Sequence, residues 1–308
     1  MRQLDREQTL AHLDYQSLAD ACAAVLQLAR AGRTACPPRG FMPLAEDGTL
    51  LLMPATDGEI AITKLVTVHP CNSQQGRPTI QGEMVILDAA TGTRELLVDG
   101  GAVSARRTAA VSLLAAQRLA PRTDTPLLVY GAGTQARTHL EAFRDGLGIR
   151  QAFLHSRTRR RAEALAAEMN EQGMHVTVID DPQAVLEAVR LVVTATTATQ
   201  PFLPAALPPD TFVAAVGAFR PHMAEIPAAL LQQGNVIIDT AEGARDEAGD
   251  LIRAHETGAF QWADAITLES VIVDGQRPTG EGPVIFKSVG QSLWDLAAGR
   301  VLVQSIDS

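Results

Sequence analysis

The chain has 308 residues, of which 46 % are hydrophobic and 20 % charged, and no low-complexity tract; this excludes a disordered polymer and leaves room for two domains or one large α/β unit. Its 26 Lys and Arg against 35 Asp and Glu give a net charge of −9, which excludes a protein that coats nucleic acid or an anionic membrane. Apolar runs stop well short of the roughly 20 residues that cross a bilayer, and the opening MRQLDREQTL carries acids where a secretion signal needs an apolar stretch, so a cytoplasmic protein is expected.

Periodicity predicts a helix over about residues 7–31, followed by short β-prone segments separated by Gly and Pro: GTLLLMPA, EIAITKLVTVHP, GEMVILDAATG and TRELLVDG. Short strands joined by tight turns predict a mostly antiparallel sheet. The Ala-rich segment from Val103 to Ala120 lacks internal Gly and Pro and predicts a helix, and PRTDTP reads as a linker. Beyond it the pattern becomes strand, helix, strand: PLLVY, GAGTQARTHLEAFRDGLG, QAFLH, a helix over about 159–172, HVTVID, DPQAVLEAV, LVVTAT, TFVAAVGA and NVIIDT. Apolar strands alternating with helical segments predict a parallel doubly wound sheet. The final VIFKSVGQSLWDLAAGRVLVQ reads as strand, turn and helix, able to rejoin either unit.

Cys22, Cys36 and Cys71 form no CxxC pair and read as reduced, structural thiols. The seven histidines show no HExxH or HxH spacing, so no metal site is expected, and a GxSxG nucleophile elbow is absent. Metallohydrolases and serine hydrolases are thereby disfavoured.

Gly131, Ala132, Gly133, Thr134, Gln135 and Ala136 form a GxGxxA turn directly after LLVY and directly before a helical stretch. Glycines there permit a tight turn and close backbone approach to a pyrophosphate at the positive helix end, which predicts dinucleotide binding. An NAD enzyme usually places an acid about 20 residues on, for the ribose 2′-hydroxyl. This chain instead offers Ser156, Arg157 and Thr158, then Arg159, Arg160 and Arg161, with no acid until Glu163. Basic residues at a helix start oppose the helix dipole, and a 2′-phosphate would remove that conflict. NADP(H) is therefore expected, with Arg157 as the leading phosphate ligand.

In EIAITKLVTV, alternation puts Lys64 on one face with Ile60, Ile62, Val66 and Val68. If that face is covered, the ammonium needs an anion; the alternative is an edge-strand lysine that discourages aggregation, and spacing does not choose between them. Arg106 and Arg107 open the next helix, where a guanidinium could clamp a carboxylate, and periodicity does not separate the two. Arg39, in CPPRGFMP, reads by itself as a loop arginine.

The ordered set PPRG, LLMPA, TKLVTVHPCN, ARRTAAVSLLAA, YGAGTQA, HSRT, TAT, VGAFRP and FKSVGQSLWDLA, spanning about residues 37–298, resembles the ornithine cyclodeaminase and mu-crystallin family. The resemblance implies an α/β protein: a Rossmann-type doubly wound parallel sheet over about 121–282, an α+β dimerisation and substrate domain over about 1–120, and a segment from about 283–308 returning to the latter. It implies a homodimer and a substrate carboxylate held by Arg39, Lys64 and Arg107. It also implies Thr194, Thr196, Val216, Gly217, Ser288 and Gly290 around the nicotinamide.

Cyclodeaminases of that family carry an Asp two residues after the glycine of GxDCPGKTEL; the corresponding segment here runs from Gly217 through Ala218, Phe219, Arg220, Pro221, His222, Met223 and Ala224 to Glu225. Phe219 cannot move a proton, and Met223 replaces the motif's Lys. GASRP-like segments with a basic dinucleotide pocket belong to the ketimine reductases of the family, so the expected reaction is hydride transfer from NADPH to C2 of a cyclic ketimine carboxylate. Delta-1-pyrroline-2-carboxylate would give L-proline and delta-1-piperideine-2-carboxylate L-pipecolate. Lys64 could help position the proton the imine needs, and His69 in the HPCN turn is a weaker candidate. The competing expectations are an NADPH-dependent alanine or N-alkyl amino acid dehydrogenase, an ornithine cyclodeaminase, and a non-catalytic NADPH- or small-molecule-binding protein.

Overall fold

The structure, a computed structural model, describes residues 1–307 and divides into two compact units, Met1–Val111 with the segment from Gln291 onward, and Ser112–Gly290. The first unit opens with a short strand β1 (Arg2–Leu4) and two helices, α1 (Arg6–Ala11) and α2 (Tyr15–Arg30), where one helix over 7–31 was expected. Two N-caps explain the break: Asp5 forms a capping box with Gln8, and Asp14 accepts from the Ser17 N–H, so each carboxylate starts a helix of its own.

Strands β2 (Gly40–Pro43), β3 (Thr49–Thr56), β4 (Ile60–Val68), β5 (Ile80–Asp88) and β6 (Arg94–Asp99) build a six-stranded sheet in the order β1-β6-β5-β4-β3-β2. It is antiparallel as expected apart from β1, which pairs parallel with β6. Direct partners share a face, so β4 buries Ile62, Lys64 and Val66 on the inner side, with Lys64 flanked by the buried Met53 and Met84. On the outer side Leu65 pairs with Leu52 of β3, and Met42 of β2 with Leu50. The sheet leads into helix α3 (Gly100–Leu119), whose start is fixed by Asp99 accepting from the Ala102 N–H.

The second unit contains β7 (Leu127–Tyr130), α4 (Thr134–Leu147), β8 (Gln151–His155), α5 (Arg159–Glu171), β9 (His175–Val178), β10 (Leu191–Thr194), β11 (Phe212–Ala215), α6 (Ala228–Gln233), β12 (Asn235–Ile238), α7 (Ala241–Glu247), α8 (Gly249–Glu256), β13 (Ile266–Thr267), α9 (Leu268–Val273) and β14 (Val284–Lys287). Its strands form one all-parallel sheet in the order β13-β12-β14-β11-β10-β7-β8-β9. The chain runs outward from β7 through β8 and β9, then returns to β10 on the other side of β7. That reversal is the topological switch point at which such sheets bind ligands. DPQAVLEAV supplies only a 3-10 turn, Pro182–Val185, in place of a crossover helix.

The expected boundaries at 120/121 and 282/283 shift to 111/112 and 290/291. Val284–Lys287 is buried throughout and hydrogen-bonded between β11 and β12, so this apolar tetrapeptide completes the parallel sheet before the chain rejoins the first unit. There the last helix, α10 (Ser292–Asp307), packs on α2, β3 and β4. Among the described residues, no helix is long and apolar enough to cross a membrane.

Candidate active site

At the carboxyl ends of β7, β8 and β10 the second unit opens a cavity of about 650 Å³. Tyr130, Gly131, Ala132 and Gly133, from the end of β7 and the GxGxxA turn, are among its lining residues. Gly131 has φ +111°, and a Cβ there would stand 2.4 Å from the Ala195 carbonyl oxygen, so only glycine fits this turn. Gly133 is the N-cap of α4 and uses no side chain to cap it, which leaves the first-turn N–H groups without a capping side chain at the positive end of the helix. A Cβ at Gly133 would meet no protein atom within 4 Å; that space fits a pyrophosphate lying against the backbone. Thr134, Gln135 and Ala136 form the first turn of α4 itself.

Ser156, Arg157, Thr158 and Arg161 line the rim of the same cavity. The arginine run thus divides its work. Arg159 is held by Glu163 and Asp180, at 2.8 and 2.6 Å, whereas Arg157, just before the Thr158 N-cap, and Arg161, in the first turn of α5, are left at the cavity. Thr158 caps α5 without a side-chain hydrogen bond, and no acid stands in its first turn. A bound dianion would supply the missing negative charge at this helix end.

The opposite wall is the segment from Ala195 to Phe202, which includes Thr196. The other residues expected near the nicotinamide are not among those that line the cavity. Thr194 is fully buried and its hydroxyl donates to Glu225 at 2.8 Å, as does the Gly217 N–H at 2.9 Å; Val216 donates its N–H to the Thr194 carbonyl. Ser288 Oγ and the Gly290 N–H both donate to Asp239, at 2.7 and 2.8 Å. These residues frame the strand ends rather than line the cavity.

In the first unit, Lys64 is 1 % exposed and its Nζ donates to Asp295 Oδ1 at 2.7 Å and to Ser104 Oγ at 2.9 Å. Arg107 Nε lies 3.2 Å from the same carboxylate oxygen, and the buried Asp295 Oδ2 has no hydrogen-bond partner. Burial pushes the Lys64 ammonium down to about 8; Asp295 opposes the shift, while the positive charges of Arg107 and Arg39 add to it. The structure therefore brings Arg39 and Arg107 within electrostatic range of Lys64 and decides for the covered-face reading of Lys64. It separates Arg106 from this group: its guanidinium stacks on the Tyr15 ring at 4.3 Å.

A family model described as the ornithine cyclodeaminase/mu-crystallin family matches residues 3–308. The chain belongs to that family. Delta(1)-pyrroline-2-carboxylate reductase 1 of Burkholderia multivorans is 38 % identical over 298 residues, covering 96 % of this chain and 93 % of that protein. The Delta(1)-pyrroline-2-carboxylate/Delta(1)-piperideine-2-carboxylate reductase of Azospirillum brasilense is 35 % identical over 296 residues, covering 96 % and 93 %. The solved Delta(1)-pyrroline-2-carboxylate reductase of Thermococcus litoralis, a complex with NADH and L-proline, superposes with a TM-score of 0.91 at 24 % identity, covering 99 % of this chain and 97 % of that one, and so shares the fold.

Two features of this family member escape its sequence. Asp295, the anion that holds Lys64 and Arg107, lies 231 residues beyond Lys64, and its only signal was a lone acid in an apolar helix, SLWDLAA. Glu225 was visible only as the last residue of the segment that begins at Gly217. His69 is not brought to the cluster: it lies five residues past Lys64, about 16 Å along the strand direction, with its ring against Gly48. The cysteines are free, and burial pushes Cys22 up to about 12 and Cys36 upward too, so neither is an activated thiol.

Proposed function

We propose that the chain is an NADPH-dependent reductase of cyclic ketimine carboxylates, converting delta-1-pyrroline-2-carboxylate to L-proline and delta-1-piperideine-2-carboxylate to L-pipecolate. The observation that carries this reading is the buried cluster in which Lys64 and Arg107 share one oxygen of Asp295, two cations on one carboxylate and so suited to one more carboxylate, with Arg39 in electrostatic range of Lys64. Binding a dinucleotide alone would not require it. The reductase relatives, one acting by its name on both ring sizes, support the choice of substrate.

When bound, the dinucleotide supplies a hydride. Arg39 and Arg107 hold the substrate carboxylate and so fix the orientation of the ring. Lys64, lowered to about 8, is the member of the cluster able to release a proton near neutral pH, and would deliver it to the ring nitrogen of the substrate. Asp295 and Ser104 aim the Lys64 ammonium. Arg157 and Arg161 bind the 2′-phosphate and set the preference for NADPH over NADH.

A homodimer belongs to the same reading. The outer face of the first sheet carries Met42, Leu50, Leu52, Pro54, Leu65, Val85, Leu87 and Leu97, all exposed or half-buried, beside Thr63, Thr67, Gln81 and Glu83, and a second copy is the occupant that would cover its apolar part.

The deciding experiment follows absorbance of NADPH, and separately NADH, with the five- and six-membered cyclic ketimine carboxylates at mildly acidic and neutral pH. Rapid NADPH oxidation without added amine supports the proposal and ranks the rings. Oxidation that depends on ammonia or an alkylamine would replace it with an amino acid dehydrogenase. Silence with both rings despite NADPH binding would leave a binding protein.

A further inference from the structure

Glu225 is 0 % exposed, yet five donors converge on its carboxylate. Oε1 accepts from the Thr196 N–H at 2.8 Å and the Thr196 hydroxyl at 2.7 Å; Oε2 accepts from the Thr194 hydroxyl at 2.8 Å and from the N–H groups of Gly217 and Ala218 at 2.9 and 3.2 Å. One side chain thereby ties together the residues that follow two adjacent parallel strands, β10 and β11. Each oxygen faces at least one main-chain N–H, which can only donate, so both oxygens must be acceptors.

The backbone of Glu225 works on the same target. Its carbonyl accepts from the N–H groups of Phe202 and Leu203, at 3.1 and 3.2 Å, and next to it the Ala224 N–H donates to the Ala198 carbonyl at 3.0 Å. The cavity wall from Ala195 to Phe202 is thus held at its start by the carboxylate, in its middle by Ala224, and at its end by the carbonyl. Outside, Arg253 adds a tie by donating to the carbonyls of Thr199 and His222, at 3.0 and 2.7 Å. The brace is anchored in turn: Asp250 accepts from the N–H groups of Glu225 and Ile226 and pairs with the buried Lys287 at 2.6 Å. Gly217 is required for the close approach, because a Cβ there would lie 2.2 Å from Glu225 Oε1.

We infer that Glu225 is a positioning residue of the dinucleotide site, holding the 195–202 wall in the shape that receives the cofactor. The inference rests on the proposed reading of the cavity as a dinucleotide pocket. Glu225→Gln keeps the shape but turns an amide NH₂ toward a main-chain N–H whichever way it flips, whereas Glu225→Asp keeps the charge and both acceptors on a shorter stem.

The test measures dissociation constants of NADPH and of L-proline, cofactor and imino acid KM values, and hydrogen exchange at 195–203, for the wild type and both variants. Glu225→Gln should weaken NADPH by about tenfold, raise the cofactor KM in step, leave L-proline within twofold, and speed exchange of the Thr196, Phe202 and Leu203 amides. Glu225→Asp should recover part of the affinity. Unchanged NADPH binding in a folded Glu225→Gln protein, or equal loss of NADPH and L-proline, would overturn the inference. Should Glu225→Gln not fold, Arg253→Met removes the outer tie alone and should still weaken NADPH about two- to fivefold; no change there would also overturn it. If the wild type binds no dinucleotide, the reading of the cavity fails, while the exchange comparison still decides whether Glu225 braces the wall.

Discussion

Raising the pH should switch the proposed reduction off through Lys64. The free amine of an ordinary lysine appears near 10.5, but burial lowers Lys64 to about 8. The proposed reduction uses the ammonium both to attract the substrate carboxylate and to deliver a proton, so kcat/KM should follow its protonated fraction. That fraction is about nine-tenths at pH 7 and about one-tenth at pH 9, which predicts a roughly eightfold to tenfold fall across the interval. The assay is kcat/KM for delta-1-pyrroline-2-carboxylate at saturating NADPH from pH 6 to 10, beside Lys64→Arg, whose guanidinium holds its charge throughout. Lys64→Arg should be slow, lacking a releasable proton, but its profile should lose the limb near 8. A wild-type profile flat to pH 10, or a limb that persists in Lys64→Arg, would refute the reasoning. Linkage has the opposite sign: between about 8 and 10.5 the unfolded chain keeps this proton and the folded chain has released it, so the contribution of Lys64 to stability rises with pH while activity falls.

Arg157→Ala and Arg161→Ala should each raise the NADPH dissociation constant by about tenfold and leave NADH within twofold, since an exposed charge-assisted contact contributes about 1–2 kcal/mol; equal effects on both would remove the phosphate assignment. Asp295→Asn strips the anion from beneath Lys64 and Arg107, so it should lower urea stability by about 3–5 kcal/mol and move the basic limb of kcat/KM toward lower pH. Leu65→Asp, at the centre of the apolar outer sheet face and 40 % exposed, should convert a dimer to monomer by light scattering with little change in monomer fold, and an unaltered assembly would place the interface elsewhere.

What could be read from the residues was whatever acts over short separations. The GxGxxA turn declares itself because strand, glycine and helix start are contiguous, and the backbone conformation at Gly131 is a local necessity. The basic rim was legible for the same reason, although the sequence could not tell that Glu163 and Asp180 would occupy Arg159 and leave Arg157 and Arg161 at the cavity. Alternation put Lys64 on an apolar face but could not say whether that face was covered. The split of the first helix was present in Asp5 and Asp14 and was overridden by the longer apolar periodicity around them.

The sequence by itself determined the fold class, the dinucleotide turn and, through an ordered set of motifs, membership of the family. Only the tertiary structure decided which charges meet: Asp295 reaches Lys64 across 231 positions, and Glu225 gathers donors from the ends of two strands. It also decided that Val284–Lys287 belongs to the parallel sheet and that His69 stands apart from the cluster. The reason is range. Turn geometry and periodicity are set by neighbours within a few residues, whereas the partner of a buried charge is set by how sheets and helices close on each other, and no local pattern encodes that closure.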